Sequence, residues 1–221
     1  MRVVVAGGHG KVARHLSRAL SARGDVPVAL IRSLDQVDAV TSDGAEAVVL
    51  DLERCNVEDV AGAIAGADAV VFAAGAGPGS GARRKDTVDR AAAVLLADAA
   101  EQAGVRRYVL VSSMGVDERA PEGADDVFAA YLHAKAASEQ DLRGRDLDWT
   151  ILRPGRLTGD EPTGHVQLEQ DVERGSVPRA DVAAVLAALL ATPESAGLTL
   201  ELVSGVVPVE AAVVAATERT D

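Results

Sequence analysis

Val5-Ala6-Gly7-Gly8-His9-Gly10-Lys11-Val12-Ala13 is the stretch that decides the fold. The β-branched run Val3-Val4-Val5 leads directly into three glycines and then into a segment of helical spacing. This satisfies Gly8-x-Gly10-x-x-Ala13, the dinucleotide fingerprint with alanine in the last place, and also the Gly7-x-x-Gly10 spacing. Small residues let the backbone turn tightly and approach a diphosphate, while the unpaired amides of the helix start face its negative charge. Gly7, Gly8, His9, Gly10, Lys11 and Val12 are therefore expected to hold the diphosphate of a dinucleotide.

Working outward, short Val/Ile/Leu-rich runs alternate with Ala-rich stretches of helical period, the pattern of βαβ units around a parallel sheet buried on both faces. Strands are expected at residues 2–6, 27–31, 47–50, 69–74, 108–112, 149–152 and 198–203, and helices at 12–23, 57–65, 86–102, 127–142, 180–190 and 209–217. Gly24 and Gly104 stand where a left-handed residue ends a helix, and Asn56 stands where a side chain caps the next. The fold class is α/β, a doubly wound parallel sheet forming a single domain over residues 1–221. Two segments interrupt the alternation. Residues 75–81 are rich in glycine, and residues 155–178 show little periodicity and read as a small substrate-region insertion. Both follow the carboxyl ends of strands, where doubly wound sheets bind ligands.

The end of the second expected strand carries Arg32, where an NAD-selective site usually places an acid. A guanidinium can pair with a 2′-phosphate, so NADP(H) is the preferred cofactor, with NAD(H) the other possibility. Arg14 is a candidate to assist from the first helix. Asp51-Leu52 closes the third strand, where the carboxylate either accepts from the adenine amino group or caps the next turn. Ala73-Ala74-Gly75 ends the fourth strand and leaves room for the nicotinamide half.

Tyr131 and Lys135 lie four residues apart in an expected helix and so share a face, while Ser112-Ser113 ends the strand before it. The chain holds two tyrosines and three lysines, so the spacing seldom arises by chance. A lysine beside a phenol favours the phenolate and is expected to lower its pKa, fitting Tyr131 to move a proton at a carbonyl or alcohol. Ser113 would hold the reacting oxygen.

On these residues the sequence resembles the short-chain dehydrogenase/reductase superfamily, in particular its atypical branch of small NAD(P)H-binding, NmrA-like and sugar-epimerase-like Rossmann proteins. Further landmarks are Val70-Val71-Phe72-Ala73-Ala74-Gly75, Ile151-Leu152-Arg153-Pro154-Gly155 and Arg179-Ala180-Asp181-Val182-Ala183. The resemblance implies that Ser113, Tyr131 and Lys135 are the catalytic serine, tyrosine and lysine, with Lys135 also binding the nicotinamide ribose. It places Pro154 and Gly155 near the nicotinamide. The only asparagine, Asn56, falls too early to be the fourth catalytic residue of the typical enzymes. The activity implied is that of an NADP(H)-dependent oxidoreductase or epimerase on a small carbonyl or alcohol. The alternatives are a non-catalytic redox-sensing binding protein and a flavin or quinone reductase.

Composition narrows the partners. With 34 acidic against 22 basic residues and a net charge of −12, and 2% aromatic residues, the chain lacks the basic stripe and stacking platforms of a nucleic-acid binder. One cysteine, Cys55, excludes a disulfide framework, and His9, His15, His133 and His165 are too scattered for a metal site. No apolar run reaches membrane-spanning length and the amino terminus lacks a signal segment, so a cytoplasmic protein is expected, monomer or homodimer. The charged stretch from Asp117 to Asp126 reads as a solvated loop or a lid.

Overall fold

The computed structural model describes residues 1–77, 79–118 and 125–218. The expected lid stretch lies partly outside the described residues, as does Pro78 of the glycine-rich segment. The chain runs β1 (Arg2–Ala6), α1 (Lys11–Ala22), β2 (Val26–Ile31), α2 (Val37–Ser42), β3 (Glu46–Val49), α3 (Val57–Ile64) and β4 (Ala69–Phe72). It continues through α4 (Ala82–Arg84), a π-helical turn (Lys85–Ala91), α5 (Ala92–Ala103), β5 (Arg107–Val111), α6 (Asp126–Arg143) and β6 (Asp148–Pro154). The remainder is β7 (Arg156–Thr158), β8 (His165–Glu169), β9 (Ser176–Pro178), α7 (Arg179–Leu190), β10 (Thr199–Ser204), β11 (Val207–Pro208) and α8 (Val209–Glu218).

Among the described residues the main sheet has nine strands in the order β3-β2-β1-β4-β5-β6-β10-β8-β11. From β3 to β10 all neighbours are parallel, and β8 joins β10 antiparallel. The order 3-2-1-4-5-6 is that of the Rossmann fold, and its direction reverses between β1 and β4, which opens a crevice at their carboxyl ends.

Buried on both faces, β1 sends Val3 and Val5 into one core and Val4 and Ala6 into the other. Leu16 and Leu20 of α1 pack with Val182, Leu186 and Leu189 of α7 in the first core. In the second, Val60 and Ile64 of α3 pack with Leu96 and Ala100 of α5. Asn56 caps α3 in a reciprocal capping box with Asp59, and Gly104 ends α5 at φ +71°.

Two expectations need correction. The helix expected from residue 86 begins at Ala82 and passes through the π-helical turn before α5. Residues 155–178 contain three short strands. β7 and β9 pair with each other, and β8 alternates exposed and buried residues, sending Val166 and Leu168 into the first core. Its partner β10 lies more than thirty residues on, so the pairing leaves almost no local signal. Among the described residues no helix is long and apolar enough to cross a membrane.

Candidate active site

Gly7 turns the chain at φ +76°, and a Cβ there would lie 2.5 Å from the Ala74 Cα. The β1–β4 register explains this, because Ala6 lies opposite Phe72 and the two chains leave the sheet side by side. A Cβ on Gly8 would lie 2.5 Å from that of Ala29, so this glycine lets the loop pack on β2, and its amide donates to the Leu30 carbonyl at 3.0 Å. Gly10 donates to the Gly7 carbonyl at 2.8 Å and starts α1 with no side-chain cap. The first intrahelical bond runs from the Arg14 amide to the Gly10 carbonyl, which leaves the amides of Lys11, Val12 and Ala13 without helical acceptors. A cradle that side chains would fill, ending in unpaired amides, fits a diphosphate.

A cleft of about 360 Å³ extends from this loop over the ends of β2 and β3. Gly7, His9, Gly10, Arg32, Asp51, Leu52, Ala73, Ala74 and Gly75 line it, as the sequence suggested. Gly8, Lys11, Val12, Pro154, Gly155 and Lys135 are not among its lining residues; Val12 packs against the first core. Asp51 also accepts from the Glu53 amide at 3.1 Å, so it caps the turn while facing the cleft. Arg14 is tied to Asp43 at 2.5 Å and lies away from this cleft. Glu53 and Arg84 were not anticipated. Their ion pair, 2.6 Å, links the segment after β3 to α4, and Thr87 donates to the other Glu53 oxygen at 2.7 Å. Arg84, Thr87 and the nearby Arg32 charge all hold the Glu53 carboxyl below its usual pKa, with Arg84 the main cause.

Beyond β4 and β5 lies the second constellation. The Met114 amide donates to the Pro154 carbonyl at 3.1 Å, bringing the segment carrying Ser113 against the end of β6. Tyr131 is largely buried; its ring stacks on Phe128 at 6.2 Å between centroids, and the Lys85 ammonium sits 5.3 Å from its centre. The Lys135 ammonium donates to the Val111 carbonyl at 2.9 Å and lies 3.5 Å from Asp89 Oδ1, both side chains being buried. The expected lowering of the Tyr131 pKa is not what the structure shows. Burial raises it, assisted by the Asp89 charge, and the hydrogen bond with Ser113 opposes the rise. The physical reason is the burial of the phenol, and the Lys135 ammonium that was expected to counter it is directed at Asp89 and the Val111 carbonyl. Burial lowers the pKa of Lys135 and Asp89 raises it. Ser113 thus lies close enough to act on the Tyr131 phenol, although its hydroxyl donates to the Met114 carbonyl at 3.2 Å, while Lys135 is held by different partners.

Asp89, also unanticipated, sits on the π-helical turn. Its Oδ2 accepts from the Ala76 amide at 3.1 Å, and its Oδ1 has no hydrogen-bond partner among the described residues. A single surplus residue in a helix leaves little trace in a hydrophobic pattern, so only the structure shows where it points. Beneath Ser113, the buried Glu139 accepts from Ser112 at 2.5 Å and from Arg153 at 3.0 and 2.6 Å. Arg153 in turn reaches Asp117 at 2.6 Å, pinning the segment after β5.

A family model described as NAD(P)H-binding matches residues 7–193, from the glycine loop to just beyond α7. The chain belongs to this NAD(P)H-binding family. Among its relatives is the UPF0659 protein YMR090W of Saccharomyces cerevisiae, 36% identical over 95% of this chain and 96% of that one. A Bacillus halodurans structure, provisionally described as an NAD-dependent epimerase/dehydratase, superposes with a TM-score of 0.88 at 37% identity, covering 95% and 97% of the two chains. The oxidoreductase ylbE of Lactococcus lactis gives 0.86 at 29% identity, covering 99% and 97%. The NAD(P)H-binding chain therefore shares its fold and length with oxidoreductase-like and epimerase-like proteins.

Proposed function

We propose that the chain acts as one domain and is an NADP(H)-dependent oxidoreductase, or an epimerase using the same hydride chemistry, on a small carbonyl or alcohol. The observation that carries this reading is the meeting of Ser113 and Tyr131 beside the carboxyl edge of the sheet whose neighbouring strands form the dinucleotide cleft. A nicotinamide held in the cleft would supply the hydride. Ser113 donates a hydrogen bond to the carbonyl oxygen, and Tyr131, kept protonated by burial, delivers the proton that completes the alcohol. Lys135, fixed by Val111 and Asp89, offsets the Asp89 charge that Tyr131 feels. The segment 155–178 faces the substrate. Its place is set by Gly155, whose Cβ would lie 2.4 Å from the Gly175 carbonyl.

Arg32 supports NADP(H): it is exposed, lines the cleft, and has no ion-pair partner among the described residues. Arg32→Asp is expected to weaken NADPH binding by about 10- to 100-fold, the worth of a charge-assisted contact, while leaving NADH little changed. Fluorescence titration with both dinucleotides checks this. An unchanged preference removes Arg32 from the cofactor site, and uptake of neither dinucleotide ends the whole reading. Single-turnover oxidation of NADPH against a panel of carbonyls, quinones and flavins tests the chemistry. A redox-sensing role is favoured by one feature, the packing of Phe128 and Lys85 on the Tyr131 ring. It predicts binding without turnover of any substrate in the panel.

A further inference from the structure

A second cleft, about 330 Å³, opens beside Lys11, the residue that follows the glycine loop. Its walls are α1, the start of α7 and residues 158–162. Its charge runs against the composition. The chain has 34 acids to 22 bases, yet this cleft is lined by Lys11, Arg14, Arg18 and Arg179 against Asp160 and Glu161.

Among the described residues neither acid makes an ion pair with those cations. Asp43, behind α1, takes both Arg14 and Arg18 at 2.5 Å, so one carboxylate answers two guanidinium groups. Lys11 and Arg179 have no ion-pair partner among the described residues, and Arg179 donates only to the Thr158 carbonyl, at 2.7 Å. These charges converge. The His15 imidazole is pushed below its ordinary pKa first by burial and then by Arg18, Arg14 and Arg179, with Asp43 opposing. Cations from two helices therefore line one cleft around His15. Arg18 lies 3.1 Å from His15 Nδ1, and because a guanidinium can only donate, Nδ1 accepts and the ring carries its proton on Nε2. The result is a concave wall of donors with surplus positive charge, an arrangement that costs free energy until an anion fills it.

We infer that this cleft is a second binding site, for the phosphate group of a small ligand, separate from the seat of the dinucleotide diphosphate. Donors arriving from α1 and α7 suit a tetrahedral group that accepts on several oxygens in different directions; a carboxylate accepts in one plane. The inference stands on the cleft alone and does not need the oxidoreductase reading.

The test is an NMR titration of the His15 imidazole with inorganic phosphate at constant ionic strength, on the full chain with and without saturating NADPH, the resonance being assigned with His15→Gln. The expected result is a saturable shift that persists under NADPH, with the imidazole pKa moving upward as phosphate binds, and an affinity at least about tenfold weaker in Arg179→Gln, the worth of a charged contact. Arg18→Gln should weaken it as well, and citrate should compete poorly. The inference is overturned by a response that never saturates, by one that NADPH abolishes, which places phosphate on the glycine loop, or by equal affinity in Arg179→Gln. If NADPH itself fails to bind, the titration without it still decides through Arg179→Gln.

Discussion

Tyr131→Phe is expected to lower kcat for carbonyl reduction by about 10²- to 10⁴-fold, the usual worth of a positioned proton donor, with NADPH affinity nearly unchanged. The ring keeps its packing against Phe128 and Lys85, and only the hydroxyl facing Ser113 is lost. Steady-state and single-turnover rates on the best substrate of the panel measure it; full activity in the variant would take the phenol out of the chemistry. The direction of the pKa shifts adds a second readout. Tyr131 is raised, so the acid form persists through neutral pH and up to the alkaline range. Lys135 is lowered by burial and held up by Asp89, so as pH rises the lysine loses its proton before the tyrosine does. Asp89→Asn removes the group that holds the lysine up, and the alkaline limb of the rate profile should move to lower pH. A limb that stays in place would show that Asp89 has no hold on that titration.

Glu139→Ala should cost about 3–5 kcal/mol of folding stability, the usual effect of removing one partner from a buried ion pair. For a domain of this size that corresponds to a fall in Tm of roughly 6–20 °C. Glu139 is fully buried and accepts from Ser112, Arg143 and both faces of the Arg153 fork. Without it, the buried Arg153 guanidinium keeps, among the described residues, only the exposed Asp117 as a charged partner. Denaturant unfolding of the variant beside Glu139→Gln, which keeps the volume, separates the lost charge from the cavity. A loss below about 1 kcal/mol would mean the network is solvated and contributes no more than a surface pair.

What could be read from the chain beforehand follows from how locally each feature is encoded. The seven parallel strands and the glycine loop were legible because their signals lie within a few residues: β-branched runs, glycine spacing, the Asn56 cap. Arg32 and Asp51 were legible because strand ends map directly onto the cleft. β8 was not, since its two inward residues, Val166 and Leu168, sit among polar neighbours and their partners come from β10. The Glu53–Arg84 and Arg153–Glu139 pairs span 31 and 14 residues, and spacing of that kind carries no pattern. The sign of the Tyr131 shift was missed for the same reason. It depends first on how far the ring is buried and then on the Asp89 charge, which arrives from another helix.

The π-helical turn at Lys85–Ala91 gives the site a dependence on chain length itself. Each residue of an α-helix advances the chain by about 100° around its axis, so deleting one residue between Lys85 and Val88 would restore regular winding and rotate Asp89 away from Lys135. Every side chain would still be present. The ammonium would then face a carbonyl without Asp89, and an insertion or deletion that a surface helix would absorb without notice would here change the charge beneath the site.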